Sequence, residues 1–156
     1  MLKVVVNSTP IIALAEIGQL DILKRVYGEI VIPVAVHGEI TIKDKQLLDG
    51  CDWIHIKTIT NNTAKELFSS ALHDGEVEVM LLAKELNADL VIIDDGLARR
   101  HAKRLGFRIT GTVGVLLRAK NIGMINEVAP ILDSLIQNDF YISDNVYREV
   151  LQIAGE

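Results

Sequence analysis

The spacing of apolar positions changes along the chain, and the changes mark strands joined by helices. Val4, Val5 and Val6 form an uninterrupted β-branched run, the pattern of a strand buried on both faces. Asn7-Ser8-Thr9-Pro10 then supplies cap residues and an early helical proline, and Ile11, Leu14, Ala15 and Gly18 follow at helical spacing. Leu20, Leu23 and Tyr27 continue into a second short helix that Gly28 stops. Residues 29–32 read as a strand, and Pro33 opens a helix through about Ile40. Residues 43–50 are ambiguous. Residues 53–59 alternate as in a short edge strand, and 63–72 read as helix.

The clearest stretch is 74–94. Asp74-Gly75 opens a helix with apolar positions Val79, Leu82, Ala83 and Leu86, and Asn87-Ala88 ends it. Residues 90–93 (Leu90, Val91, Ile92, Ile93) are then continuously apolar. A helix joining two buried strands implies a right-handed crossover and a parallel sheet. Residues 96–105 read as helix, 108–109 as a short strand, and 110–112 as the opening of a helix through about Asn121. Residues 127–138 and 144–154 form two final helices. On the last, Tyr147, Val150, Leu151 and Ala154 make an apolar stripe that either completes the core or packs a dimer. Strands alternating with helices give an α/β sheet protein.

The 156 residues fit one domain, 49% hydrophobic and only 4% aromatic, so the core is aliphatic. No apolar run reaches the roughly 18 residues that span a bilayer, and the start of the chain does not read as a signal peptide. The lone cysteine, Cys51, excludes an internal disulfide framework and fits a reducing cytoplasm. The four histidines show no zinc spacing. A net charge of −5 argues against a non-specific coat on nucleic acid, but not against a local basic patch. Such a stretch exists: Arg99, Arg100, Lys103, Arg104, Arg108, Arg118 and Lys120 lie between Gly96 and Lys120, uninterrupted by Asp or Glu. It suits contact with a phosphate backbone, with a solvated helix face as the competing role. Thr110-Gly111-Thr112-Val113-Gly114 lacks a P-loop lysine, and no GxGxxG is present, so a nucleotide-binding fold is disfavoured.

Acidic residues gather where a parallel sheet binds ligands, beyond the carboxyl ends of its strands. One strand delivers Asn7 and another Asp94 and Asp95. Helix capping is the competing role for these residues. Glu76 shares a helix face with Val79, Met80 and Ala83, which places a carboxylate on an apolar stripe, whereas Glu78 is expected in solvent. Glu39 lies three residues after Val36 and four after Ala35, near the apolar side of its helix. Asn7, Glu39, Glu76 and Asp94 together offer the oxygen ligands that Mg²⁺ or Mn²⁺ prefers.

The order and spacing of these segments resemble the PIN-domain family of metal-dependent nucleases, and most of all a prokaryotic branch related to toxin–antitoxin ribonucleases. The resembling segments are residues 4–10, residues 31–33 with Glu39, Asp74-Gly75-Glu76 with Leu82-Ala83, Ile93-Asp94-Asp95, and residues 110–114 with Arg118-Ala119-Lys120. The likeness spans roughly residues 3–125. It implies a three-layer α/β/α fold with a central parallel sheet of strand order 3-2-1-4-5, and a single domain over residues 1–156. In that family acids at the matching positions bind Mg²⁺ or Mn²⁺, which activates water against a phosphodiester, usually of RNA. The resemblance therefore implies metal-binding and catalytic roles for Glu39, Glu76 and Asp94, with Asn7 and Asp95 as further ligands and Asp74 in reserve. Ser8, Arg99, Arg100, Lys103 and Arg118 are the candidate nucleic-acid contacts.

One position departs from the family pattern. The first strand normally ends in Asp, and here Asn7 stands there, keeping a carbonyl oxygen but removing a negative charge. The leading expectation is a cytoplasmic metal-dependent ribonuclease, the toxin of a toxin–antitoxin pair, with RNA, a small antitoxin and a second copy of the chain as partners. The alternative is a non-catalytic module on the same fold that binds nucleic acid or a partner. A receiver-like signalling domain would need an acidic pair after the first strand, which Asn7-Ser8 does not supply.

Overall fold

The computed structural model describes residues 2–68 and 70–156. Met1 and Ser69, which fall within the expectations for the opening segment and for 63–72, lie outside the described residues. The strands are β1 (Val4–Val6), β2 (Ile30–Pro33), β3 (Ile54–Lys57), β4 (Leu90–Ile92) and β5 (Ile109–Thr110). The helices are α1 (Ser8–Glu16), α2 (Asp21–Tyr27), α3 (Val34–Lys43), α4 (Asp74–Leu86), α5 (Gly96–Arg104), α6 (Thr112–Asn121), α7 (Ala129–Gln137) and α8 (Asp144–Ile153). Residues 62–67 form a 3-10 turn where the spacing predicts a longer helix. Asn61 caps that turn, and Phe68 leaves it in an extended conformation.

The strands form one parallel sheet in the order β3-β2-β1-β4-β5, as the resemblance implies. β1 is its centre. Val5 pairs with Val31 on one side and Val91 on the other. All three valines of β1 are fully buried, which is what an uninterrupted apolar strand demands. α1, α3 and α4 pack together, with α4 against β1 and β2, while α2 and α8 pack on α6. The two helical groups enclose the sheet as a three-layer α/β/α sandwich.

Because α4 is covered by α3 and by the sheet, every residue from Gly75 to Ala83 is buried. Asn87 ends it in a left-handed conformation, φ 51°, the usual way for a helix to stop without glycine. This all-round burial corrects one expectation. Glu78 is not solvated: its carboxylate accepts from the Ala35 amide at 3.1 Å and from Lys65 Nζ at 2.7 Å. The second amide of α3 has no partner inside its own helix, and Glu78 supplies one. Trp53 belongs to the core, and Val150 turns the stripe on α8 inward against it. No helix among the described residues is long and apolar enough to cross a membrane.

Candidate active site

The winding of the sheet reverses between β1 and β4, so the crevice beyond their carboxyl ends is where this topology places a ligand. Asn7 leaves β1 there and donates its amide to Ile92 O at 2.9 Å, continuing the pairing with β4. It then stands at the N-cap of α1 in extended conformation, yet its side chain makes no capping bond. Its Oδ1 is buried without a hydrogen-bond partner, the one such side-chain atom among the described residues. A buried carbonyl oxygen left unpaired costs about 1–3 kcal/mol, unless something outside the chain completes it.

Ser8, the first residue of α1, donates its hydroxyl to Glu39 Oε2 at 2.6 Å. Glu39 reaches this point from α3 because α1 and α3 pack together. The same carboxylate rests on the backbone of Gly75 at the start of α4. A Cβ at position 75 would overlap it, coming within 2.8 Å of the carboxyl carbon. Residue 75 is therefore glycine for room rather than for backbone freedom.

Glu76 follows, 6% exposed, and its Oε1 accepts from the His73 amide at 2.9 Å, closing the first turn of α4. Burial raises its pKa above the usual carboxylate value. The His73 amide pulls the other way, and the charge of Asp95 and a hydrogen bond shared with it raise it further. Asp95 comes to Glu76 from the loop after β4 while its Oδ2 caps α5 by accepting from the Ala98 amide at 3.0 Å.

Asp94 turns to the other side. Its Oδ1 accepts from the Thr112 amide at 2.8 Å and its Oδ2 from the Thr112 hydroxyl at 2.7 Å, which fastens the start of α6 to the end of β4. Burial raises its pKa, and the two bonds from Thr112 and the nearby Arg99 partly offset that. A Cβ at Gly111 would stand 2.6 Å from Asp94 Oδ1, and one at Gly114 would collide with Thr110. The glycines in Thr110-Gly111-Thr112-Val113-Gly114 thus make room for this clasp. The Thr112 amide is spent on Asp94, so the segment is a cap and turn rather than a phosphate loop.

The structure thus gathers Asn7, Ser8, Glu39, Gly75, Glu76 and Asp95 around the ends of β1 and β4. None of Glu39, Glu76, Asp94 and Asp95 makes a salt bridge among the described residues. Among the described residues no three His, Cys, Asp or Glu side chains are spaced to hold a metal ion. Asp94 accepts from Thr112 and Asp95 from Ala98, so the two adjacent carboxylates have different partners. Asp74 points outward, 78% exposed and 3.8 Å from Lys65 Nζ.

The basic residues also divide. Arg99 donates to Ile93 O at 3.1 Å and sits beside Asp94, whereas Arg100 and Lys103 are exposed on α5. Arg118 lies near the amino ends of β1 and β4, in a hollow with Leu2, Tyr27 and Asp89, at the opposite edge of the sheet. Sequence reasoning missed Gly75 and Thr112 as parts of the site. The compact Asp74-Gly75-Glu76 and Thr110-Gly111-Thr112 motifs were their only signal.

A sequence profile described as PIN domain matches residues 3–156. Among solved structures, the fold is similar to that of a PilT N-terminus domain protein from the hyperthermophilic archaeon Sulfolobus solfataricus P2. The TM-score is 0.56 at 22% identity, over 73% of this chain and 90% of that one. At that identity the likeness speaks for the fold alone. No curated protein matches the chain in sequence.

Proposed function

Since this chain belongs to the PIN domain family, whose members are in general nucleases that use divalent metal ions, we propose that it is a weak Mg²⁺- or Mn²⁺-dependent ribonuclease. The observation that carries this reading is the buried, unpartnered Asn7 Oδ1 at an edge where Glu76 is buried and feels the charge of Asp95, with no salt bridge to either carboxylate among the described residues. Crowded carboxylates are stabilised by a cation or a shared proton. The unpaired Asn7 Oδ1 at the same edge is an oxygen that a hard cation would complete.

In this reading Asn7, Glu39, Glu76 and Asp95 would hold the metal. Bound there, the ion would activate water and offset the charge that develops on the phosphodiester. The chain's own groups do the positioning. Ser8 and the bare Cα of Gly75 fix the Glu39 carboxylate, the His73 amide fixes Glu76, and the Asp94–Thr112 clasp holds α6 behind the site. Asn7 supplies an oxygen but one charge fewer than Asp, so affinity for a divalent ion is low.

The same residue favours a second reading, binding of RNA without turnover. Calorimetric Mn²⁺ titration and RNA cleavage by the native protein, Asn7→Asp and Glu76→Gln separate the two. Weak metal binding and slow cleavage, both raised by Asn7→Asp and abolished by Glu76→Gln, are expected. Metal binding absent from all three proteins overturns the nuclease reading. A toxin role would add a small antitoxin as partner, which co-expression with the neighbouring reading frame and co-purification test.

A further inference from the structure

A cleft of about 480 Å³ borders the acid site at Asp94, and neither Glu76 nor Asp95 lines it. Its lining combines Asp94 and Arg99, the start of α6, and the segment Phe140-Tyr141-Ile142 between α7 and α8. That segment is far from the basic stretch in sequence, and only the fold brings the two together. After α7 the chain reverses at Asp139, which takes a left-handed φ of 68°, uncommon for a residue with a side chain. Phe140 then donates its amide to Leu135 O at 3.0 Å and packs on the core, as Ile142 does.

Tyr141, between them, is turned out. It is 87% exposed, and its hydroxyl has no hydrogen bond among the described residues. Its ring therefore contributes little to the fold. On the cleft's lining with it is Arg99, whose guanidinium spends one donor on Ile93 O out of the five an arginine carries.

An exposed phenol ring and a guanidinium with free donors on one cleft suit a flat aromatic ligand joined to an anion. We propose that this cleft is a nucleobase subsite, in which an unpaired base of a single-stranded nucleic acid stacks on Tyr141 while Arg99 bonds the adjoining phosphate. A duplex keeps its bases within its own stack and cannot use the subsite. The proposal rests on the ribonuclease reading for its choice of ligand, RNA, but not for its geometry.

The test uses a short single-stranded RNA carrying 2-aminopurine, whose emission falls on stacking, titrated with the full chain in EDTA so that nothing is cleaved. Native protein should quench the probe. Tyr141→Ala should lose the quenching and weaken binding by about tenfold. Its salt dependence should be unchanged because no charge is removed. Tyr141→Trp should restore both quenching and affinity. Duplex RNA should not distinguish the native protein from Tyr141→Ala. Equal quenching and affinity in native protein and Tyr141→Ala would overturn the subsite. A Mn²⁺ cleavage assay on the same RNA reports on the nuclease reading separately. Tyr141-dependent quenching without cleavage removes that reading and keeps the subsite, and cleavage with Tyr141-independent binding does the reverse.

Discussion

Ser8 Oγ and Glu39 Oε2 lie 2.6 Å apart, a hydrogen bond that ties the first residue of α1 to α3. Ser8 is 6% exposed, so water does not readily replace the hydroxyl when it is removed. Ser8→Ala should lower stability by ~1.5–3 kcal/mol, the range for a bond to a charged group. Urea unfolding in EDTA measures it free of any metal. Ser8→Thr, which keeps the hydroxyl, should lie close to the native protein.

Gly75 makes a sharper distinction between fold and site. A Cβ there meets the far end of the Glu39 side chain, which can swing away, and alanine is the better helix former by ~1 kcal/mol. Gly75→Ala should therefore melt close to the native temperature. It should nonetheless lose Mn²⁺ affinity by roughly 10–100-fold, the usual cost of disturbing the groups that orient a ligand. Parallel melting curves and calorimetric titrations decide it, and a large fall in stability would show that Glu39 cannot move.

Glu78 carries a structural load apart from the proposed site. Glu78→Ala strips the cap from the start of α3 and leaves Lys65 without its buried partner. A loss of ~2–4 kcal/mol is expected from an orphaned amide and a broken, mostly buried pair. Chemical unfolding should show it with and without Mn²⁺ alike.

These residues also show where sequence reasoning works and where it stops. The runs at 4–6 and 90–93 identify buried strands because a strand covered on both faces has no reason to alternate. Their positions with respect to the helices around them suffice for a parallel sheet. Helical spacing predicts Glu76 inward and Glu78 outward, but α4 is buried all round, so both are inside and each has its own partner. The adjacent Asp94 and Asp95 look equivalent in sequence. Consecutive side chains after a strand diverge, so one reaches Thr112 and the other Glu76. The stretch from Arg99 to Arg118 looks like one basic surface, yet α6 carries Arg118 away to the far edge of the sheet.

That division gives a test of the proposed nucleic-acid contacts. Arg100→Glu with Lys103→Glu should weaken RNA binding and reduce the slope of log affinity against log salt by about 0.7 for each lost phosphate contact. Arg118→Glu, on the opposite edge, should leave both unchanged. Anisotropy titrations across a salt series measure all three. An equal effect from Arg118 would mean that net charge alone governs binding.

Glu156 sets a pH dependence remote from the proposed site. Its carboxylate accepts from Lys120 Nζ at 2.8 Å and from the amides of Val128 and Ala129 at the start of α7. Lys120 above all, and then these amides, hold its pKa down to about 2 from an ordinary 4.5. A depressed folded-state value contributes stability that is fully present above about 4.5 and lost as pH falls toward about 2. Glu156→Gln should therefore melt below the native protein at neutral pH, and the gap should close as the solution is acidified through that window. A gap that persists at low pH would assign the effect to packing rather than to charge.

The place of β1 in the sheet has a bearing on when this protein becomes whole. The central strand is β1, and it is flanked on one side by β2 and on the other by β4, which comes from beyond α4. A chain emerging amino end first can assemble β1, β2 and β3 as half a sheet, with Asn7 still facing an open edge. Asp95 comes to Glu76 only after β4 slots in beside β1, a late and long-range closure of the kind that slows folding. The nascent chain therefore carries half of its sheet well before Asp95 reaches Glu76.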